Sequence, residues 1–142
     1  IWKVEINKSI NHFVSAFAAN DPQSTLDICN KLSDRYSDLK RCIFLNTRSD
    51  RIYRTIQLLD LIYNKIIPDK LIIRGSKLDS IIKKYDFASK NIEIIRFDEN
   101  VKANTIIKVI GGFSNYLVLG IGNIVGWGES FVNEMKGFRI ND

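Results

Sequence analysis

The segment Asn46-Thr47-Arg48-Ser49-Asp50-Arg51-Ile52-Tyr53-Arg54 places three arginines within seven residues. A guanidinium presents a planar fork of donors that pairs with a carboxylate or a phosphate through two hydrogen bonds. The apolar spacing of Ile52, Ile56, Leu59 and Tyr63 predicts a helix from about Asp50 to Ile66, ended by Pro68. The arginines would then surround a helix N-terminus, whose open N–H groups favour anions. Arg51 and Arg54 are three apart and would share a helix face. The plainer alternative is a solvated face with Asp50 as its cap.

Two further polar clusters carry lesser signals. Gly120-Ile121-Gly122-Asn123-Ile124-Val125-Gly126-Trp127-Gly128-Glu129 has a G-x-G-x-x-x-G spacing after an apolar run. It differs from the G-x-G-x-x-G dinucleotide fingerprint and follows the last strand of the pattern, not the first. It reads as a weak phosphate cradle or, at least as well, as a tight turn with Trp127 packed nearby. Asn20-Asp21-Pro22 reads as a helix start, with Asp21 as N-cap and Pro22 at the first helical position. His12 sits in an apolar stretch and reads as structural, and Cys29 and Cys42 read as small core hydrophobes. No nucleophile–base pair, metal-ligand cluster or G-x-x-x-x-G-K-[ST] phosphate loop is visible. No residue is therefore assigned a catalytic role, and no metal site is assigned. The pattern is that of a binding half rather than a complete active site.

The elements that must hold these clusters follow from the hydrophobic rhythm. Trp2–Ile6 alternates apolar and polar residues as a half-buried strand, and Asn7-Lys8-Ser9 makes a turn. His12–Ala18 is a second strand. Cys42-Ile43-Phe44-Leu45 is continuously apolar, as in a strand covered on both faces. Leu71–Ile73, Ile92–Phe97 and Tyr116–Leu119 are further strands. Helices are expected from Pro22, over Leu78–Tyr85, Ala103–Ile110 and Glu129–Met135, with Gly120–Gly128 a glycine-rich loop. This alternation predicts one α/β domain over residues 1–142: a Rossmann-like, mostly parallel sheet of about five to six strands, with helices on both faces. Ligands of such sheets bind beyond the carboxyl ends of the strands. The three polar clusters all follow strands and should share that edge.

Composition limits the function classes. At 142 residues with 45% apolar content, the chain can bury a core without staples. Two cysteines without Cys-x-x-Cys spacing indicate reduced thiols in a cytoplasmic setting, and the single histidine argues against a His-based metal centre. No apolar run reaches the ~20 residues of a membrane helix. The net charge of +5 draws anionic ligands without selecting among them. Lys83, Lys84, Lys90, Lys102 and Lys108 are dispersed, so no nucleic-acid stripe forms and no nucleic-acid partner is expected. The first residue is Ile1 rather than Met, which suggests a portion of a longer chain.

Taken together and in order, the clusters resemble a known family. Phe13-Val14-Ser15-Ala16-Phe17-Ala18-Ala19-Asn20-Asp21-Pro22-Gln23-Ser24-Thr25-Leu26 resembles the F-V-x-x-F-A-A-N-D-x-x-S-T-L segment of poly-γ-glutamate synthase ligase subunits (the CapB/PgsB family). Asn46–Thr55 resembles that family's N-x-R-x-D-R-x-x-R-T, and Gly120–Gly126 its G-x-G-N-I-x-G. The family lies in the Mur ligase superfamily. Within that superfamily an A-H-x-P stretch stands where Ala19-Asn20-Asp21-Pro22 is found, G-D-R-D near Ser49–Ile52, and G-K-G-H near Gly120–Asn123. Asn thus replaces two histidines and Ile121 a lysine, and Phe17 falls where many relatives carry aspartate, as fits the poly-glutamate branch.

The resemblance implies the C-terminal domain of an ATP-dependent amide ligase that joins glutamate into poly-γ-glutamate through an acyl phosphate, for a capsule or exopolymer. It implies a P-loop domain upstream that binds most of the ATP and Mg2+, so this portion alone is expected to be inactive. The expected partners are glutamate, the growing poly-γ-glutamate and membrane-bound synthase subunits. The expected location is the cytoplasmic face of a bacterial membrane, with this domain itself soluble. In that picture Arg48, Arg51 and Arg54 bind glutamate carboxylate or ATP phosphate. Asp50 orients an arginine or holds the incoming ammonium. Asn20 and Asp21 line the hinge side of the cleft, and Gly120, Gly122 and Asn123 form the facing loop. The alternative is a standalone Rossmann-like nucleotide- or anion-binding module, or a partner-docking module.

Overall fold

A tight hairpin begins the chain. Strands β1 (Trp2–Ile6) and β2 (Ser9–Ser15) are antiparallel, with Ile6 opposite Ser9. Asn7 and Lys8 make the turn, both at positive φ, as a two-residue hairpin of matching twist requires. Ser9 thus belongs to the strand rather than the turn. This is a computed structural model, and it describes residues 1–17, 19 and 21–141. The remaining strands are β3 (Lys40–Asn46), β4 (Lys70–Arg74), β5 (Glu93–Phe97) and β6 (Tyr116–Gly122). The six strands are ordered β1-β2-β6-β3-β4-β5, and every pairing beyond the hairpin is parallel. The domain is the expected α/β fold with a mostly parallel sheet.

Helices cover both faces because alternate strand residues feed two separate cores. Ile43, Leu45, Leu71, Ile73, Leu117 and Leu119 pack with Cys29 of α1 (Pro22–Arg35) and with Leu58, Leu59 and Leu61 of α2 (Ile52–Leu61). The short α3 (Asp79–Ile82) adds Ile81 and Ile82 to the same face. Cys42, Phe44, Ile72 and Val118 face the other way. There they meet Ile106, Ile107 and Ile110 of α4 (Ala103–Ile110), and Phe131 and Met135 of α5 (Trp127–Lys136). The continuous run Cys42–Leu45 is fully covered on both faces, as its composition predicts.

Several boundaries differ from the sequence reading. Strand β2 ends at Ser15, and Ala18, the expected end of that strand, lies outside the described residues. Helix α2 begins at Ile52, with Arg51 rather than Asp50 at the N-cap, and its last turn widens into a π-helix over Ile62–Ile66 before Pro68. Ile52 does not join the buried face and remains 39% exposed. The helix expected over Leu78–Tyr85 contracts to the four residues of α3. Strand β6 runs on through Gly120 and Gly122, and α5 starts at Trp127, so the glycine-rich loop shrinks to the residues between them.

Candidate functional site

The carboxyl ends of β6 and β3 are level, with Asn46 opposite Gly122, and Arg74 of β4 sits opposite Asn46 on the other side. A cleft of about 200 Å³ opens at this edge. One wall is the β3–α2 junction, with Arg48, Arg51, Arg54 and Thr55, and the other runs from Gly122, the last residue of β6, to Val125. Phe17, following β2, closes an end. The cleft lies where β6 inserts between β2 and β3, the kind of switch at which open α/β sheets bind ligands.

The three arginines are not equivalent. Arg48 donates through Nε and Nη2 to the two carboxylate oxygens of Asp50, each at 2.9 Å, in a fork-to-fork pair. Asp50 is thereby held below the usual carboxylate pKa, chiefly by the Arg48 hydrogen bonds. That pairing turns Asp50 onto Arg48, and Asp50 is not the cap of α2. Arg51 and Arg54 make no side-chain hydrogen bond or ion pair among the described residues. Both line the cleft with their donors unspent.

The backbone geometry of the facing wall explains its glycines. Gly122 has φ +98°, and a Cβ there would lie 2.3 Å from the Asn46 carbonyl oxygen. The bare α-carbon lets β6 and β3 stay in register while the Asn123 N–H donates to that same oxygen at 2.8 Å. Gly120 serves packing: its Cβ would meet the Phe17 ring at 2.5 Å, and it is buried rather than presented to the cleft. Asn123 lines the wall and closes a local turn with its own side chain, accepting from the Val125 N–H.

Of the remaining sequence candidates, Asp21 caps α1, accepting from Ser24 N at 2.8 Å and Ser24 Oγ at 2.9 Å. Those bonds lower its pKa, the backbone one most, with the Arg54 charge a smaller cause. Asp21 does not line the cleft, although it shares its edge. Asn20 lies outside the described residues.

Sequence reasoning passed over Arg74 and gave no separate role to Asn46 and Thr47, the first two residues of the arginine segment. Asn46 is fully buried at the cleft floor. Its Oδ1 accepts from Arg74 Nη1 at 2.8 Å, and its Nδ2 donates to the Asn123 carbonyl at 2.8 Å. Arg74 also donates through Nη2 to the Glu99 carbonyl at 2.5 Å, and its guanidinium lies 4.1 Å from the Trp127 ring centroid. Its Nε is buried without a hydrogen-bond partner among the described residues, and desolvation lowers its pKa. Thr47 donates through Oγ1 to the Arg74 carbonyl at 2.9 Å. The available signal was positional: Arg74 breaks the apolar run Leu71-Ile72-Ile73 at the carboxyl end of its strand, just before Gly75. Trp127 packs as the plainer reading had it, stacked on Phe131 with an interplanar angle of 11°.

The arrangement has the chemistry to receive an anion: among the described residues Arg51 and Arg54 are unpaired beside a helix N-terminus, and Arg48 is held by the Asp50 carboxylate. Among the described residues no three His, Cys, Asp or Glu side chains converge to hold a metal ion, and no helix is long and apolar enough to cross a membrane.

Comparison with known proteins places this geometry in context. The chain is 28% identical over 131 residues to the PGA synthase CapB of Bacillus subtilis (strain 168), covering 91% of this chain and 33% of that protein. It is 30% identical over 125 residues to the capsule biosynthesis protein CapB of Bacillus anthracis, covering 85% of this chain and 26% of that protein. The chain thus spans about a third or less of the length of these curated relatives. No solved structure matches it. The family described as the poly-gamma-glutamate synthase CapB C-terminal domain matches residues 1–138. By that match over nearly its whole length, the chain belongs to the family of CapB C-terminal domains.

Proposed function

We propose that this chain is the C-terminal domain of an ATP-dependent amide ligase that joins glutamate into poly-γ-glutamate. In this reading the carboxylate of a glutamate chain is activated as an acyl phosphate. The amine of an incoming glutamate attacks that carbonyl, releasing phosphate and losing a proton. The observation that carries the reading is the cleft with Arg51 and Arg54, unpaired among the described residues, in a chain of this family.

The residues present suit one part of that chemistry. Arg51 and Arg54 would bind a glutamate carboxylate or a phosphate oxygen. The Arg48–Asp50 pair would hold the rim of the cleft in place. Among the described residues no three His, Cys, Asp or Glu side chains converge, and the reading leaves Mg2+ and most of the ATP contacts to a P-loop domain outside this chain. Binding of an acceptor in the cleft, with closure against that domain, would align amine and carbonyl and exclude water. Membrane-bound synthase subunits are proposed as partners of the whole enzyme.

The test is glutamate-dependent ATP hydrolysis by the full-length natural polypeptide, with and without residues 1–142. Deletion is expected to abolish turnover while ATP binding by the remainder persists. Arg51→Ala is expected to lower glutamate incorporation by more than about tenfold, as loss of a charge-assisted hydrogen bond would. Turnover that survives the deletion, or unchanged kinetics in a folded Arg51→Ala variant, would refute the assignment.

A further inference from the structure

We infer that Arg74 is a positioning residue for the cleft, acting through the Asn46 amide on the wall formed by Asn123 to Val125. The inference rests on the ligase reading for its effect on substrate, and on geometry alone for its effect on the wall.

Arg74 sits at a junction of three strand ends. Its guanidinium donates to Asn46 Oδ1 and to the Glu99 carbonyl, and lies over the Trp127 ring at the start of α5. Its own carbonyl accepts from Thr47 through both N–H and Oγ1. The orientation of the Asn46 amide is forced by these partners. Arginine can only donate and a carbonyl can only accept, so Oδ1 must face Arg74 and Nδ2 must face the Asn123 carbonyl. The charge on Arg74 polarises the amide and strengthens the outgoing Nδ2–H bond. Asn46 is completely buried, so a flipped or unpaired amide would find no water to replace these partners.

The wall gains its place from this relay. Asn123 is bonded to Asn46 twice, through its N–H to the Asn46 carbonyl and through its carbonyl to Asn46 Nδ2, both at 2.8 Å. Ile124 and Val125 follow and face the arginines across the cleft. Arg74 itself does not line the cleft, so it fixes the shape of the receptor without spending its charge on the ligand. A buried Nε without a partner is an energetic cost that the stack on Trp127 and the two donated bonds offset.

The test uses the full-length natural polypeptide with Arg74→Gln, Arg74→Lys and Asn46→Asp. Amide hydrogen exchange over residues 123–126 reads the wall directly. It is expected to quicken by about tenfold or more in Arg74→Gln, and to recover in part in Arg74→Lys, which keeps a cation for Oδ1. Asn46→Asp keeps the Arg74 bond but loses the donor to Asn123, so it should quicken exchange to the same extent. In steady-state assays the KM for glutamate should rise about tenfold in Arg74→Gln, with kcat and the KM for ATP near wild type.

Unchanged exchange in folded Arg74→Gln, or a glutamate KM that stays put while Arg51→Ala raises it, would each overturn the inference. If Arg74→Gln does not fold, Arg74→Lys and Asn46→Asp decide by the same criteria. Absence of glutamate-dependent turnover in the wild type would refute the ligase reading instead, and exchange would then decide the role of Arg74 alone.

Discussion

Gly122→Ala is a sharp probe of how closely the two walls of the cleft approach. Gly122 holds φ +98°, a region that disfavours a side chain by about 1 kcal/mol or more. The added Cβ would stand 2.3 Å from the Asn46 carbonyl oxygen. To reach ordinary contact that oxygen must retreat by about 1 Å, which breaks the 2.8 Å bond from the Asn123 N–H. Overpacking of this kind, with a lost hydrogen bond, costs about 2 kcal/mol. The total is about 3 kcal/mol, or a fall of about 10 °C in Tm for a domain of this size. Gly126→Ala is the matched control. Gly126 also has positive φ, at +68°, but nothing lies within 4 Å of its Cβ position. It should lose only the conformational part, about 1 kcal/mol and a few degrees. Thermal unfolding of the 142-residue chain, followed by circular dichroism, makes the comparison. Equal losses in the two variants would refute the claim that backbone contact, rather than φ alone, demands glycine at Gly122.

Two other outcomes follow from the titratable groups. The Asp21 pKa is lowered by the Ser24 hydrogen bonds, so its contribution is fully present above the unfolded value and is lost as pH falls through the folded one. Asp21→Asn keeps a capping oxygen but cannot titrate, so its denaturation midpoint should fall less steeply than that of wild type between about pH 5 and pH 3. Equal slopes would remove Asp21 from the acid response. Burial raises the Cys29 thiol to about 11 and pushes Cys42 higher still. Neither thiol should react with an aromatic disulfide reagent at pH 8 until the chain is unfolded in guanidinium, and fast labelling of the native protein would contradict this burial.

Much of the architecture was legible because it depends on local alternation. Cys42–Leu45 reads as a doubly covered strand and is one, and Ala103–Ile110 is a helix over the residues its pattern marks. Asp21 and Pro22 begin α1 because capping chemistry is carried by adjacent residues. The arginine cluster reached the cleft because it follows a parallel strand. Three things were not legible. Gly120 and Gly122 read as loop residues, since only the partners across the sheet, Phe17 and Asn46, reveal why a strand would carry glycine there. The inequality of the arginines depends on a rotamer choice that turns Arg48 onto Asp50. Arg74 is 28 residues from Asn46 in sequence, and only strand order brings the two together.

The position of β6 also governs how the chain can assemble. Its residues pair with β2 on one side and with β3 on the other, both distant in sequence.

 Counted along the chain, Leu117 follows His12 by 105 positions (117 less 12) and Arg41 by 76 (117 less 41). Until residues 116–122 leave the ribosome, β2 and β3 each carry an unpaired edge with nothing between them. The hairpin and the β3-β4-β5 half can form early as separate pieces, and the late strand then joins them. Synthesis therefore delivers this central strand after the other five, and a nascent chain stalled before Tyr116 exposes two unpaired edges for chaperones to shield.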